Sequence, residues 1–78
     1  MAKIFLHTRD RDETTTMNEE REFARVPAIG EYLSATSKPP WYRVTGVVHH
    51  PSEQTDFDAD VYAVQVDHHG TLKSFFAD

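Results

Sequence analysis

The sequence contains no cysteine and only three glycines among its 78 residues. Without cysteine, neither a disulfide nor a thiolate-ligated zinc ion can stabilise the fold. Widely separated glycines cannot form the glycine-rich loop that cradles a nucleotide phosphate, and no serine stands in a Gly-x-Ser-x-Gly turn. These absences favour a protein that is not an enzyme and that holds no cofactor and no metal.

Basic residues are also few, because eight Lys and Arg face thirteen Asp and Glu for a formal net charge of −5. Nucleic acids and anionic membrane surfaces both attract clustered Lys and Arg, so we expect neither as a partner. The first residues, MAKIFLHT, contain one basic residue and no long apolar run, unlike a signal peptide or a membrane span. We therefore expect a cytoplasmic protein, of bacterial, phage or plasmid origin.

Alternating β-branched and aromatic residues are the main positive feature. Residues 2–8 alternate as a strand with Ile4 and Leu6 on one face, and residues 41–49 and 61–67 predict two further strands. The fold class that follows is mainly β: one domain over 1–78, a small antiparallel SH3-like barrel of five to six strands. A core of this size supplies only about 3–5 kcal/mol, which makes a homodimer a reasonable expectation.

Polar and proline-containing stretches divide the rest of the chain. We expect residues 9–21 to form a polar surface loop or arm, with a short helix near 16–22 as the alternative, capped by Thr16. A strand over 22–26 should end before Pro27, Gly30 should mark a turn or bulge, and 31–35 should form a strand. Residues 37–40 predict a rigid turn, and 51–59 an acidic hairpin loop.

The apolar pattern also predicts how the last strands pair. If Tyr62 lies opposite Val48, one buried face collects these residues: Tyr42, Val44, Val48, Tyr62, Val64 and Val66. Residues 67–71, DHHGT, then predict a turn in which Asp67 begins and Gly70 takes a positive φ. A final strand over 71–76 would add Leu72 and Phe76 to the core.

Two histidine pairs, His49–His50 and His68–His69, flank this predicted hairpin. They fall at opposite ends, roughly 26 Å apart at ~3.3 Å per residue, so one metal ion cannot join them within one chain. His49 or His50 could instead bind a divalent ion or a small molecule with the acidic residues of 53–60. A zinc ion shared between two chains stays open.

Aromatic residues follow two prolines in the sequence PPWY. Trp, Tyr and Phe beside a rigid turn are typical of protein-binding surfaces, and they also commonly cover the end of a small barrel. The predicted binding residues are Pro40, Trp41, Tyr42, His49 and His50. Both interpretations of Trp41, as a binding residue and as a lid, remain open from the sequence.

Three segments together carry a resemblance: RVPAIGEYL, WYRVTGVVHHP and DADVYAVQVD, within residues 25–67. They combine a proline–glycine entry to a strand, an aromatic-rich strand ending in histidine, and a valine-rich strand. This pattern resembles a group of small uncharacterised bacterial proteins. The group has no established activity, so the resemblance implies no catalytic residue.

The function that these observations favour is that of a small non-enzymatic protein-interaction or regulatory module. Its partner would be a protein that meets the 37–42 turn and the adjoining sheet edge. A metal- or small-molecule-responsive sensor using His49 or His50 is the first alternative. A weak enzyme whose site lies between the copies of an oligomer is the second.

Overall fold

Five strands and one helix make up the described part of the chain, which comprises residues 1–10, 16–34, 40–51 and 56–77 of a computed structural model. The elements are β1 (Ala2–Arg9), β2 (Thr16–Phe23), β3 (Tyr32–Ser34), β4 (Trp41–His49), β5 (Ala59–Gln65) and α1 (His68–Phe75). The strands form one sheet that curls into a half-barrel. The predicted mainly β class is therefore confirmed.

The strand order in the sheet is β2-β1-β5-β4-β3. β1 and β2 are antiparallel, as are β5 with β4 and β4 with β3, but β1 and β5 run parallel. The expectation of a wholly antiparallel sheet is wrong at this central pairing. Parallel neighbours need a long connection rather than a hairpin, and here the intervening strands provide it. No short stretch of sequence encodes such a pairing.

The core lies on one face of the sheet, termed the core face. Alternation along β1 buries Ile4, Leu6 and Thr8, and the matching residues of β5 are Ala59, Val61 and Ala63. Leu33 and Val44 complete the buried set. Phe23 and Val26 pack against its rim, and Pro27 is buried beside them. The opposite side, termed the outer face, carries the intervening residues of each strand.

The pairing of β4 with β5 differs from the predicted register. Val44 lies opposite Ala63 and Val48 lies opposite Asp60, with a bulge between Val44 and Gly46. Val48 and Tyr62, predicted to be buried, are 49% and 42% exposed. Side chains in β5 alternate between two faces, and the larger ones, Tyr62 and Val64, were predicted to lie in the core. The smaller ones, Ala59, Val61 and Ala63, are the buried ones. The smaller set is buried because it shares the core face with Ile4 and Leu6 of the neighbouring β1.

The bulge also changes which residues of β4 share a face. An extra residue in one strand shifts the alternation, so Val44 is buried and Val47, three residues later, also packs against the core. The predicted burial of Val44 is thus right, whereas that of Val48 is wrong. Val64 and Val66 are half-buried. Without the bulge, strict alternation would have placed Val48 inwards.

The predicted polar arm and the alternative helix near 16–22 are both wrong over residues 16–21, which belong to β2. β2 pairs with β1 along its whole length, from Ala2 opposite Phe23 to Arg9 opposite Thr16. Its sequence, TMNEEREF, has weak intrinsic strand preference, so the pairing with β1 determines its conformation. The strand expected over 22–26 ends at Phe23, and residues 11–15 lie outside the described ranges.

The C-terminal segment forms α1 rather than the predicted turn and strand. Asp67 is the N-cap, and its carboxylate accepts a hydrogen bond of 3.2 Å from the Gly70 N–H. Gly70 does not have the positive φ that was expected, because a side-chain bond of this kind begins a helix as readily as a turn. Leu72 and Phe76, expected in the core, are 38% and 82% exposed.

The turn at Gly30 is confirmed. Gly30 has a φ of 91°, a conformation that residues with a Cβ rarely adopt, and its N–H donates to the Val44 carbonyl at 2.9 Å. This bond sets the entry to β3, the strand expected in this region. Residues 37–39 of the predicted rigid turn lie outside the described residues, and Pro40 is exposed.

We predict that Val61→Ala will lower the free energy of unfolding by about 1–3 kcal/mol, because Val61 is fully buried. Val64→Ala is the matched control on the outer face of the same strand and should cost under about 1 kcal/mol. Urea denaturation followed by tryptophan fluorescence measures both. Equal losses would contradict the register described for β5.

Candidate functional site

The residues predicted to bind a partner lie in different places. Pro40 is exposed, and Trp41 is half-buried on the outer face at the β3–β4 end of the sheet. Tyr42, on the opposite face, packs against the core. His49 is exposed at the far end of β4, and His50 contacts Asp60. The structure therefore divides the predicted set between two surfaces and the core.

The first surface, termed the aromatic surface, consists of Tyr32, Trp41, His68 and Phe75. The Trp41 ring lies 4.1 Å from the His68 ring and 6.0 Å from the Phe75 ring, measured between centroids. Tyr32 meets the edge of Phe75 at 5.1 Å. Trp41 thus holds α1 over the outer face, and Phe75 and Tyr32 remain 50% and 44% exposed.

Two grooves flank β3, the last strand in the sheet order. A groove of about 220 Å³ on the aromatic surface is lined by Tyr32, Leu33, Ser34, Trp41 and Phe75. A second groove, of about 350 Å³, is lined by Phe23, Ala24, Arg25, Pro27, Glu31 and the three residues of β3. β3 therefore contributes to both grooves.

A paired arginine and glutamate line the second groove. Arg25 donates from Nη1 to Glu31 Oε1 at 2.7 Å, and the Ala28 N–H donates to the same oxygen at 2.6 Å. The hydrogen bond from Arg25 lowers the pKa of Glu31 to about 2, with the Ala28 N–H contributing. Glu31 therefore keeps its charge at every physiological pH and holds residues 25–31 in a closed loop.

The second surface, termed the imidazole–carboxylate cluster, consists of His7, His50 and Asp60. His50 Nε2 lies 2.7 Å from Asp60 Oδ2, and His7 Nε2 lies 3.1 Å from Asp60 Oδ1. An ionised carboxylate only accepts hydrogen bonds, so each imidazole must donate to it. One carboxylate of β5 thus connects β1 with the residue that follows β4.

Neighbouring side chains fix the His7 ring. It stacks on Tyr62 at 4.5 Å with an interplanar angle of 10°, and the edge of Phe5 meets it at 4.9 Å. Its Nδ1 lies 2.7 Å from Asn18 Oδ1. Either an imidazolium donates to both Asn18 and Asp60, or the Asn18 amide is turned so that its NH₂ faces a neutral ring.

The hydrogen bonds from His50 and then His7 lower the pKa of Asp60 below its ordinary value, against a smaller opposing effect of burial. A carboxyl whose pKa is lower in the folded state stabilises the fold above its unfolded pKa. That contribution is lost as the pH falls through the folded pKa. The three side chains are only 19–27% exposed, so solvent screens this contact less than a surface ion pair.

The cluster is a hydrogen-bonded contact between three side chains. Within the described ranges, no group of three or more His, Asp or Glu side chains is arranged to hold a metal ion. Of the acidic residues in 53–60 that could have joined His49 or His50, Glu53 lies outside those ranges. The carboxylate of Asp58 accepts a hydrogen bond from the backbone N–H of Lys3 at 2.8 Å. His68 lies against Trp41 at the other end of β4, so the two histidine pairs stay apart.

Sequence reasoning missed His7 as a partner of the carboxylate, and it missed Tyr32 as a neighbour of Trp41. Alternation along β1 did place His7 on the outer face. Its meeting with Asp60, 53 residues later in the chain, depends on the parallel pairing of β1 with β5. The available signal for α1 was Asp67, a residue type that commonly caps the start of a helix. The helix is what brings Phe75 to Trp41.

We predict that in Asp60→Asn the free energy of unfolding will fall less steeply with decreasing pH than in wild type. Wild-type protein should lose more unfolding free energy than the variant as the pH falls below about 5, because only wild type must protonate this carboxylate. Asp56→Asn, an exposed neighbour, is the matched control and should keep the wild-type slope. Parallel curves for wild type and Asp60→Asn, from urea melts at each pH, would contradict the assignment.

Among the described residues, no helix has the length and apolar character needed to cross a bilayer. The chain matches no protein-family model, no curated protein and no solved structure. The resemblance to small bacterial proteins and the likeness to SH3 barrels therefore stay predictions.

Proposed function

We propose that this protein is a non-enzymatic interaction module that binds an extended segment of a partner protein along β3. The observation that carries the proposal is the position of β3 at the end of the sheet, between two grooves to which it contributes. The expected compartment is the cytoplasm, a proposal based on the absence of cysteine.

The backbone of β3 supports strand addition. The Val44 N–H donates to the Glu31 carbonyl at 2.8 Å, and antiparallel strands alternate between bonded and non-bonded pairs. By this alternation the N–H and carbonyl of Leu33 point towards Tyr42 of β4. The N–H and carbonyl of Tyr32 point the other way, towards the open edge of the sheet. Among the residues that the structure describes, no strand lies beyond β3. An added strand would hydrogen bond with Tyr32.

The side chains of an added strand would alternate between the two faces of the sheet. Those on the outer face would meet Tyr32, Trp41 and Phe75, which favour an aromatic or large aliphatic anchor. Those on the other face would enter the second groove, beside Leu33 and the Arg25–Glu31 pair. The partner class is thus an extended segment with an apolar anchor at every second position.

The opposite edge of the sheet is less suited to the same role. β2 carries Glu19, Glu20 and Glu22 along an exposed strand, and charges on an edge discourage pairing with another chain. β3, by contrast, contains Tyr32, Leu33 and Ser34 and no charged residue. The difference between the edges favours a single docking position for a strand.

A phage-displayed library of random linear peptides tests the proposal. We expect selected peptides to carry apolar residues at alternate positions and to shift the amide resonances of residues 32–34 and 41 in titrations followed by nuclear magnetic resonance. N-methylation of the peptide backbone at alternate residues should abolish binding, because it removes hydrogen bonds to β3. Phe75→Ala should weaken binding about tenfold, as the loss of an aromatic anchor does.

Met17→Ala is the matched control, because Met17 is an exposed apolar residue on the opposite edge, and it should leave the affinity unchanged. Binding that tolerates N-methylation at every position would overturn strand addition. A library without enriched binders would do the same. If sedimentation shows a dimer that Phe75→Ala dissociates, the occupant of β3 is a second copy and the proposed partner is wrong.

A further inference from the structure

A row of side chains crosses the outer face of the sheet at Val64, with an arginine on each side. Arg9 of β1 and Arg43 of β4 both pair with Val64 of β5. Since neighbouring strands lie ~4.8 Å apart, the two arginine backbones are about 10 Å apart. Side chains of this length can reach over Val64 to a common ligand.

Both arginines are exposed. Within the described ranges, ion pairs from Lys and Arg engage Lys3, Arg21 and Arg25, and neither Arg9 nor Arg43 takes part in one. The chain as a whole carries a formal charge of −5, so a pair of unneutralised guanidinium groups on one row is a local exception. Such a pair attracts anions.

A cleft of about 330 Å³ opens beside Arg9 on this face. Its lining includes His7, Arg9, Thr16, Asn18, Thr45, Tyr62 and Val64. Thr45 already donates its hydroxyl to the Tyr62 carbonyl at 3.3 Å, and one polar atom of the Asn18 amide is bonded to His7 at 2.7 Å. The Thr16 hydroxyl and the other polar atom of the Asn18 amide remain as groups for a ligand. The volume lies at the lower end of the ~300–1,000 Å³ typical of ligand pockets.

The imidazole–carboxylate cluster makes this location more favourable for an anion. Asp60 is the acidic residue of β5, four residues before Val64 or roughly 13 Å at ~3.3 Å per residue. Asp67 follows Val64 by three residues, and its carboxylate accepts a hydrogen bond from the Gly70 N–H at the start of α1. The Asp60 carboxylate accepts hydrogen bonds from two imidazoles, which reduces its repulsion of a bound anion. His7 also stacks on Tyr62 and so holds this side of the cleft in place.

We propose that the cleft binds a small organic oxyanion, a phosphate or carboxylate group carried on a planar apolar body. Arg9 lines the cleft, and Arg43 lies across Val64 from it, outside the lining. The two side chains hold the oxyanion at the Val64 end of the cleft, since a guanidinium donates two parallel hydrogen bonds to such a group. Tyr62, which is 42% exposed, and Val64 contact the apolar body. The cleft shares no lining residue with the grooves beside β3, although Arg43 lies opposite Tyr32 on the neighbouring strand. The proposal does not depend on the proposed partner segment.

Phenyl phosphate, benzoate and inorganic phosphate, titrated at constant ionic strength, test the proposal. We expect the amide resonances of residues 9, 43, 45 and 62–64 to shift, and phenyl phosphate or benzoate to bind about tenfold more tightly than inorganic phosphate. The tighter of the two organic ligands identifies the oxyanion. Equal binding of inorganic phosphate would contradict the role given to Tyr62 and Val64.

Arg9→Gln and Arg43→Gln should each weaken binding about tenfold, the usual effect of losing a charge-assisted hydrogen bond. Lys73→Gln on α1 removes the same charge from a residue that does not flank Val64, and it should leave the affinity unchanged. If all three variants lose affinity equally, the attraction is non-specific and the site is wrong. Unchanged affinity in both arginine variants, with thermal midpoints near that of wild type, would also overturn it.

Discussion

The parallel pairing of β1 with β5 is the contact on which the rest of the structure depends. Without it, β1–β2 and β3–β4–β5 would be two small antiparallel units, each with an open apolar face. The pairing places Ile4 and Leu6 beside Ala59 and Val61, which produces the most deeply buried part of the core. A single two-stranded hairpin is marginal in water, so joining the units is what makes a stable core available.

The same pairing builds the outer face. It brings His7 to Asp60, and it places Arg9 beside Val64, with Arg43 following on the next strand. The charge on the outer face therefore changes along β5. Two arginines flank Val64 near one end of the strand, and the Asp60 carboxylate, bonded to two imidazoles, lies near the other. Tyr32 and Trp41 extend this surface to the β3 edge and position α1. Core and candidate sites therefore share the same central strands.

Local patterns in the sequence predicted the elements whose own residues favour them. β1, β4, β5 and the turn at Gly30 were found because alternation and a positive-φ glycine are local signals. β2 was missed because its pairing with β1, and not its own residues, determines its conformation. In β5 the wrong face was predicted to be buried, because apolar residues occur on both faces of that strand. Trp41 and His50 were identified as candidates by residue type, but His7 and Arg9 required a neighbour more than 50 residues away. Pairing at such separation leaves no trace in a short window of sequence.

The contrast between the two edges of the sheet limits how copies of this protein can assemble. An open filament would require the β3 edge of one copy to pair with the β2 edge of the next, a head-to-tail contact that can repeat indefinitely. The glutamates of β2 disfavour that contact, whereas two β3 edges can meet only once, around a twofold axis. A protein with an exposed strand is thereby protected from fibre growth, because one edge terminates any chain of copies that the other edge begins.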